Sequence, residues 1–197
     1  LEFRRVLFRS GDAELGRGFP EPRVLDMGLW PVDARVWLFK AGVTQREAEG
    51  MGWYYHERSD RVVLPFPEQD FWLARAYQKG RSPKYLAVTP KPHGLLVKFG
   101  TGKTIVLCED VLSAYKVGKV TEGWALLGTK LSQDHCARLI ADGRRVVVLL
   151  DPDPPGQSGA VAIVKQLRAF GVDVKSVAPR LDPKLLTREE IEKWAIA

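Results

Sequence analysis

The second half of this chain alternates short apolar runs with helix-patterned segments, and that alternation leaves few folds open. TIVLCED (104–110) reads as a strand, VLSAYKVG as a helix closed by Gly118, and EGWALLG as a strand. SQDHCARLIADG reads as a helix with Ser132 as N-cap and Gly143 at its end. RRVVVLLD (144–151) is a strand, GQSGAVAIVKQLRAFG a helix and VDVKSVA a strand. TREEIEKWA opens with a capping box, Thr187 to Glu190, so a last helix is expected there. The strands are apolar throughout rather than alternating, as strands buried on both faces are. The pattern predicts an α/β fold, a parallel sheet with helices on both faces.

Two of these strands end in acids: Glu109 and Asp110 after the first, Asp151 and Asp153 after the third. In an open parallel sheet, ligands bind at the carboxyl ends of strands, where the strand order reverses. If the two strands are neighbours, Glu109, Asp151 and Asp153 converge. Helix N-capping explains acids at these positions equally well on spacing alone, because a helix N-terminus carries positive potential. Electrostatics favours a cation. Two carboxylates ~4 Å apart repel by roughly 4 kcal/mol at an effective dielectric of 20. Oxygen ligands with no Cys or His beside them select a hard ion such as Mg²⁺. Pro152 fixes the backbone between Asp151 and Asp153 and so lowers the entropy of presenting both to one site.

Other motifs carry less. GTGKT (100–104) lacks the first glycine of a phosphate-binding loop, whose place is taken by Val97, and it precedes a strand instead of following one. It reads as a hairpin turn. His135 and Cys136 are adjacent on a helix and face different ways, while His56 and His93 lie in loop-like contexts. Cys108 and Cys136 make no CxxC pair, and Cys108 lies inside an apolar run, as a buried thiol in a reducing cytoplasm does. No apolar run approaches the roughly 20 residues that span a bilayer, so no membrane partner is expected.

LEFRRVLFRS at residues 1–10 is encoded residue for residue by CTG GAG TTC AGA CGT GTG CTC TTC CGA TCT, a common short-read sequencing adapter. These residues are read as a non-native leader on a chain from an assembled environmental (metagenomic) read, with the natural N-terminus expected to be missing. They carry +2 of the net charge of +6. The mildly basic remainder permits a polyanionic partner. Residues 11–30 read as loop, PVDARVWLFKAG as a short helix ended by Gly42, and TQRE (44–47) as the capping box of a second. DRVVLPF (60–66) and FWLARAY (71–77) are strand-like, joined by PEQD, with PKYLAV (83–88) as a third strand. Residues 11–100 thus form a small α+β unit, and residues 101–197 the α/β unit.

These motifs resemble the TOPRIM domain of primases, topoisomerases, some nucleases and recombination proteins. IVLCEDVLSAYKVG resembles the phage primase variant, in which the strand Glu is followed by D-x-x-S-A. Ser113 stands where many relatives have an acid. ALLGTKLS resembles the family's Leu-Gly-Thr segment, VVVLLDPDPPG its DPDxAG, with a departure at Pro155, and LDPKLLTREEI its DPK-plus-helix ending. Upstream, DRVVLPF, Arg75 and PKY (83–85) resemble the basic, RNA-polymerase-like subdomain of phage primases. The resemblance implies a DNA primase of the primosome, a nucleotidyltransferase making RNA primers on single-stranded DNA in phage replication. Glu109, Asp151 and Asp153 would be catalytic and hold Mg²⁺, two ions in the family reading with Mn²⁺ as a substitute, and Asp182 would be a further metal ligand. Arg75 and Lys84 would contact ribonucleoside triphosphates or template, and Lys103 and Lys130 would be extra phosphate contacts or, equally, solvated surface lysines. A replicative helicase is the expected partner, in the cytoplasm of a bacterial host. The family's zinc-binding module has no cysteine quartet here.

Three rival readings stand beside it. A TOPRIM nuclease would use the same acids to hydrolyse. A non-catalytic nucleic-acid-binding remnant would not use them. A receiver-like phosphoacceptor domain would need a lone Asp after its third strand and a Lys after its last, and DxD with no Lys directly after VDVKSVA argues against it.

Overall fold

Thr44 and Glu47 close the capping box that their spacing predicts. The Glu47 amide donates to the Thr44 hydroxyl at 3.3 Å, and the Thr44 amide donates to the Glu47 carboxylate at 2.7 Å. In the computed structural model, which describes residues 18–196, this box opens helix α2 (Gln45–Gly50), after α1 (Val32–Lys40). The readings of residues 1–10 as a leader and of 11–17 as loop lie outside the described residues. The chain divides into two compact units between Leu95 and Leu96.

In the first unit, β1 (Tyr54–His56), β2 (Arg61–Phe66), β3 (Phe71–Arg75) and β4 (Tyr85–Ala87) form an antiparallel sheet in chain order. PEQD turns the chain between β2 and β3, ending on Asp70 in the left-handed region (φ 46°). Tyr54, Val63, Trp72, Ala74 and Leu86 make one apolar cluster of this unit.

The second unit is a five-stranded sheet. It contains β5 (Val97–Phe99), β6 (Thr104–Cys108), β7 (Glu122–Ala125), β8 (Arg145–Val148) and β9 (Val174–Ser176), in the order β5-β7-β6-β8-β9. The last four strands are mutually parallel, as the apolar runs predict, and β5 pairs antiparallel with β7. Helices α3 (Val111–Gly118), α4 (Gln133–Asp142) and α5 (Pro154–Arg168) connect them, and α6 (Arg188–Ile196) closes the chain. The step from β6 to β7 runs one way along the sheet, and the steps to β8 and β9 run the other. With right-handed crossovers, α3 therefore covers one face and α4 with α5 the other. Ile105, Leu107, Trp124, Val146 and Val148 accordingly pack with Cys136, Leu139, Ile163 and Leu167.

The structure corrects two local readings. GTGKT is not a hairpin turn, because the strands on either side of it, β5 and β6, are separated in the sheet by β7. Gly100 within it has φ 70°, and a Cβ there would lie 2.1 Å from the Gly118 carbonyl oxygen, so the segment is a tight crossover pressed on the end of α3. The helix after DPD starts at Pro154 and not at Gly156, since proline is favoured in a first helical turn that needs no amide donors.

Candidate active site

The strand order places the reversal point between β6 and β8. Crossovers leave their carboxyl ends in opposite directions, which opens a crevice at that edge. Glu109 follows β6 directly, and Asp151 follows β8 after Leu149, whose amide extends the pairing to the Leu107 carbonyl at 2.9 Å. The two strands are bonded neighbours, so both acids stand at the same edge.

Capping engages only the second acid of each pair. Asp110 caps α3 by accepting from the Ser113 amide at 2.8 Å, and Asp153 caps α5 by accepting from the Gly156 amide at 2.8 Å. The first acid of each pair is not the cap. Asp151 Oδ1 is buried and accepts no hydrogen bond. Burial, opposed by Lys184 but reinforced by the negative charge of Asp110, Asp182 and Asp153, pushes the Asp151 carboxyl up to about 6. A cation beside Asp151 relieves both causes.

Lys184 pairs with two of the acids, Asp110 and Asp182. Its ammonium lies 3.0 Å from Asp110 Oδ2 and 2.8 Å from Asp182 Oδ2, on a side chain only 15% exposed. Burial lowers its pKa, but Asp110, Asp182 and Asp151 outweigh burial and raise it. Burial likewise pushes Asp110 up, and Lys184 and the Ser113 amide more than offset it. Asp182 is thus brought into the electrostatic neighbourhood of Asp151.

Among the described residues, no three acids, histidines or cysteines are gathered tightly enough to form a ready metal cage. Mg²⁺ does not require one: it is commonly held by one or two carboxylates, with waters and substrate phosphates completing the shell. A buried carboxylate oxygen with no hydrogen-bond donor, on a half-buried side chain set among other acids, fits that pattern.

Lys130 is exposed in the loop after β7, at the same edge as the acids. Lys103 is also exposed but precedes β6, at the opposite edge of the parallel strands, so the structure does not bring it to Asp151. In the first unit, Arg75 and Lys84 meet on one aromatic ring. The Arg75 guanidinium lies 4.7 Å from the Tyr85 ring centre and 5.7 Å from that of Trp37, and it donates to the Ala76 carbonyl. The Lys84 ammonium lies 5.6 Å from the Tyr85 ring centre. Arg75 is thereby half-buried and oriented, while Lys84 is exposed.

The family model described as "Toprim domain" matches residues 104–178, the stretch from β6 to just past β9. Residues 104–178 are a Toprim domain. None of the curated proteins matches by sequence. The crystal structure of the Aquifex aeolicus primase (zinc binding and RNA polymerase domains) is similar over 84% of this chain and 53% of that one, with a TM-score of 0.60 and 18% identity. This chain therefore spans about half the length of that structure. Its fold is that of a Toprim-type DNA primase core, with the Toprim domain preceded by an antiparallel unit. Among the described residues no helix is long and apolar enough to cross a membrane.

Residue-level reading of the sequence missed Lys184, Tyr85 and Trp37. The signal for Lys184 was present in LDPKL: a lysine two residues after an acid, with a proline fixing the link between them. Nothing in the sequence paired Trp37 with Arg75, because they come together only when α1 meets the end of β3.

Proposed function

We propose that this chain is the catalytic core of a DNA primase, joining ribonucleotides on a single-stranded DNA template. What supports synthesis over hydrolysis is the extent of the primase likeness, which takes in 84% of the chain and not the Toprim domain alone. In this reading the 3′-hydroxyl oxygen of one nucleotide forms a bond to the α-phosphorus of the next, and the bond to pyrophosphate breaks. Glu109, Asp151, Asp153 and Asp182 would hold Mg²⁺, which when bound lowers the pKa of the attacking hydroxyl and neutralises charge on the leaving group. Asp153 and Asp110 keep α5 and α3 capped, so their helix N-termini face the incoming phosphates. Arg75 and Lys84 would hold triphosphate or template, with Tyr85 and Trp37 keeping the guanidinium plane fixed. Lys130 is a further phosphate contact at the acidic edge. A replicative helicase is the partner this reading expects, in phage replication within a bacterial cytoplasm.

The test is incorporation of labelled ribonucleotides on single-stranded DNA, with and without Mg²⁺. Mg²⁺-dependent oligoribonucleotides are expected. Mg²⁺-dependent degradation of the DNA with no synthesis would replace the proposal with a nuclease.

The basic pair yields its own prediction. Lys84→Ala should weaken single-stranded DNA or nucleotide binding several-fold and reduce the steepness of its salt dependence by about 0.7 in log–log slope, one counterion's worth. Its melting temperature should stay unchanged, because the ammonium is exposed. Arg75→Lys keeps the charge but loses the planar stack, so it should weaken binding with little change in that slope. Fluorescence anisotropy across a salt series measures both. Wild-type slopes and affinities in both variants would remove this pair from the binding surface.

A further inference from the structure

We propose that Lys184 is a resident cation of the acidic site, occupying at Asp110 and Asp182 the place a second divalent ion would take, so that the chain binds one divalent ion and not two. The inference rests on the metal reading of Asp151 given above, and revises it to one ion with Asp182 outside its ligand set.

Three observations carry it. The Lys184 ammonium is at hydrogen-bonding distance from two carboxylates on different elements, 3.0 Å from Asp110 and 2.8 Å from Asp182. A divalent ion seated between those carboxylates would have to break both contacts. The lysine is also held from behind. Asp182, Pro183 and Lys184 belong to a short 3₁₀ turn (Pro183–Leu185) with Pro183 buried, closed by the Leu185 amide on the Asp182 carbonyl at 2.8 Å. That turn packs on α3, whose N-cap is Asp110, so the ammonium is delivered by a fixed element and not by a flexible tail. Finally, the acids split into two groups by partner. Asp110 and Asp182 are paired to Lys184, whereas Asp151 Oδ1 has no hydrogen-bond partner and Asp153 commits one oxygen to its cap. Asp110 has both oxygens engaged, one by the Ser113 amide and one by Lys184, whereas Asp151 Oδ1 stands open to an added ion.

A fixed ammonium differs from a second metal in what it does. It neutralises one charge whether or not substrate is present, cannot be chelated away, and offers no open coordination position to a phosphate. Lys184 is therefore a positioning residue that keeps Asp110 and Asp182 together and leaves one coordination centre for substrate.

The test counts Mn²⁺ bound per full chain by electron paramagnetic resonance and calorimetry, for wild type, Lys184→Met, Lys184→Arg and Asp151→Asn. Thermal melts with and without Mg²⁺ accompany the counts. Wild type and the arginine variant should bind one ion. Lys184→Met should melt several degrees lower without divalent ions, bind a second ion, and gain more melting temperature from Mg²⁺ than wild type does. Asp151→Asn should lose the wild-type ion. Two ions in wild type overturn the proposal, and that count decides even if Lys184→Met does not fold. An unchanged count and Mg²⁺ response in Lys184→Met also overturn it, while loss of the ion in Asp151→Asn would keep the underlying metal reading intact. No ion bound by wild type would remove that reading itself.

Discussion

Asp151→Asn is expected to abolish primer synthesis while raising the melting temperature of the metal-free protein at pH 7. Burial, opposed by Lys184 but joined by the charges of Asp110, Asp182 and Asp153, pushes the Asp151 carboxyl up from its ordinary 3.8 to about 6 in the folded chain. The folded state therefore holds this proton more tightly than the unfolded state does. Between about pH 4 and pH 6 the native chain binds more protons, so stability falls as pH rises through that window and stays low above it. A tenfold difference in proton affinity between the two states corresponds to about 1.4 kcal/mol. Discounted for the partial exposure of the side chain, the ionised carboxylate costs about 1–2 kcal/mol at pH 7. Asparagine keeps the shape and removes the charge, so the variant should melt about 2–6 °C higher at pH 7 and about equally at pH 4. Mg²⁺ should raise wild type and leave the variant unmoved, because an ion that binds only the native state stabilises by mass action. Asp151 caps no helix, so cap chemistry supplies no competing explanation for a change in melting temperature. Equal Mg²⁺ responses in the two proteins would remove Asp151 from metal binding.

Gly156→Ala should destabilise the second unit by about 3 kcal/mol and lower primer synthesis in proportion to the displaced carboxylates. A Cβ at Gly156 would lie 2.2 Å from the Asp151 carbonyl oxygen and 3.0 Å from Asp153 Oδ1. The nearer obstacle is backbone, which cannot rotate away, so the DPD loop must move off α5. Overpacking of this kind costs about 1–3 kcal/mol, and loss of the Asp153 cap adds about 1 kcal/mol. The glycine is required by proximity and not by φ, which is helical here. Gly50→Ala is the control: nothing lies within 4 Å of its added Cβ, so its melting temperature should stay within about 2 °C of wild type. Chemical denaturation of the two variants, followed by tryptophan fluorescence, separates the cases. An unperturbed Gly156→Ala would mean the loop is held less closely to α5 than the geometry requires.

The parallel sheet was legible because its signal is redundant. Apolar strands, Ser132 and Gly143 at the ends of α4, and acids at strand ends all point to one architecture. Two of the three-residue strands, β1 and β5, were not legible in that way. Tyr54–His56 and Val97–Phe99 are too short to show a period, and β5 owes its place to pairing with β7, a long-range contact that no local pattern encodes. For the site, residue types gave the acids but not their division of labour. Asp110 and Asp153 are each followed at the third residue by an amide they accept from, yet the same spacing also suits metal ligands, so only geometry separates cap from ligand. Lys184 had to be brought to Asp110 across a sequence separation of 74 residues, which the tertiary fold supplies.

The edge strand β5 has a consequence for how the second unit can exist on its own. The family match begins at Thr104, but the sheet begins at Val97. A fragment trimmed to the match would uncover the flank of β7, leaving the amides and carbonyls that now pair with Val97–Phe99 open to any passing strand. Those few residues act as a seal as well as a junction: they finish the second unit's hydrogen bonding at the point where the chain enters it. Inherited or engineered alone, the minimal self-sufficient module would start at Leu96, and shorter pieces would tend to find their missing strand in one another.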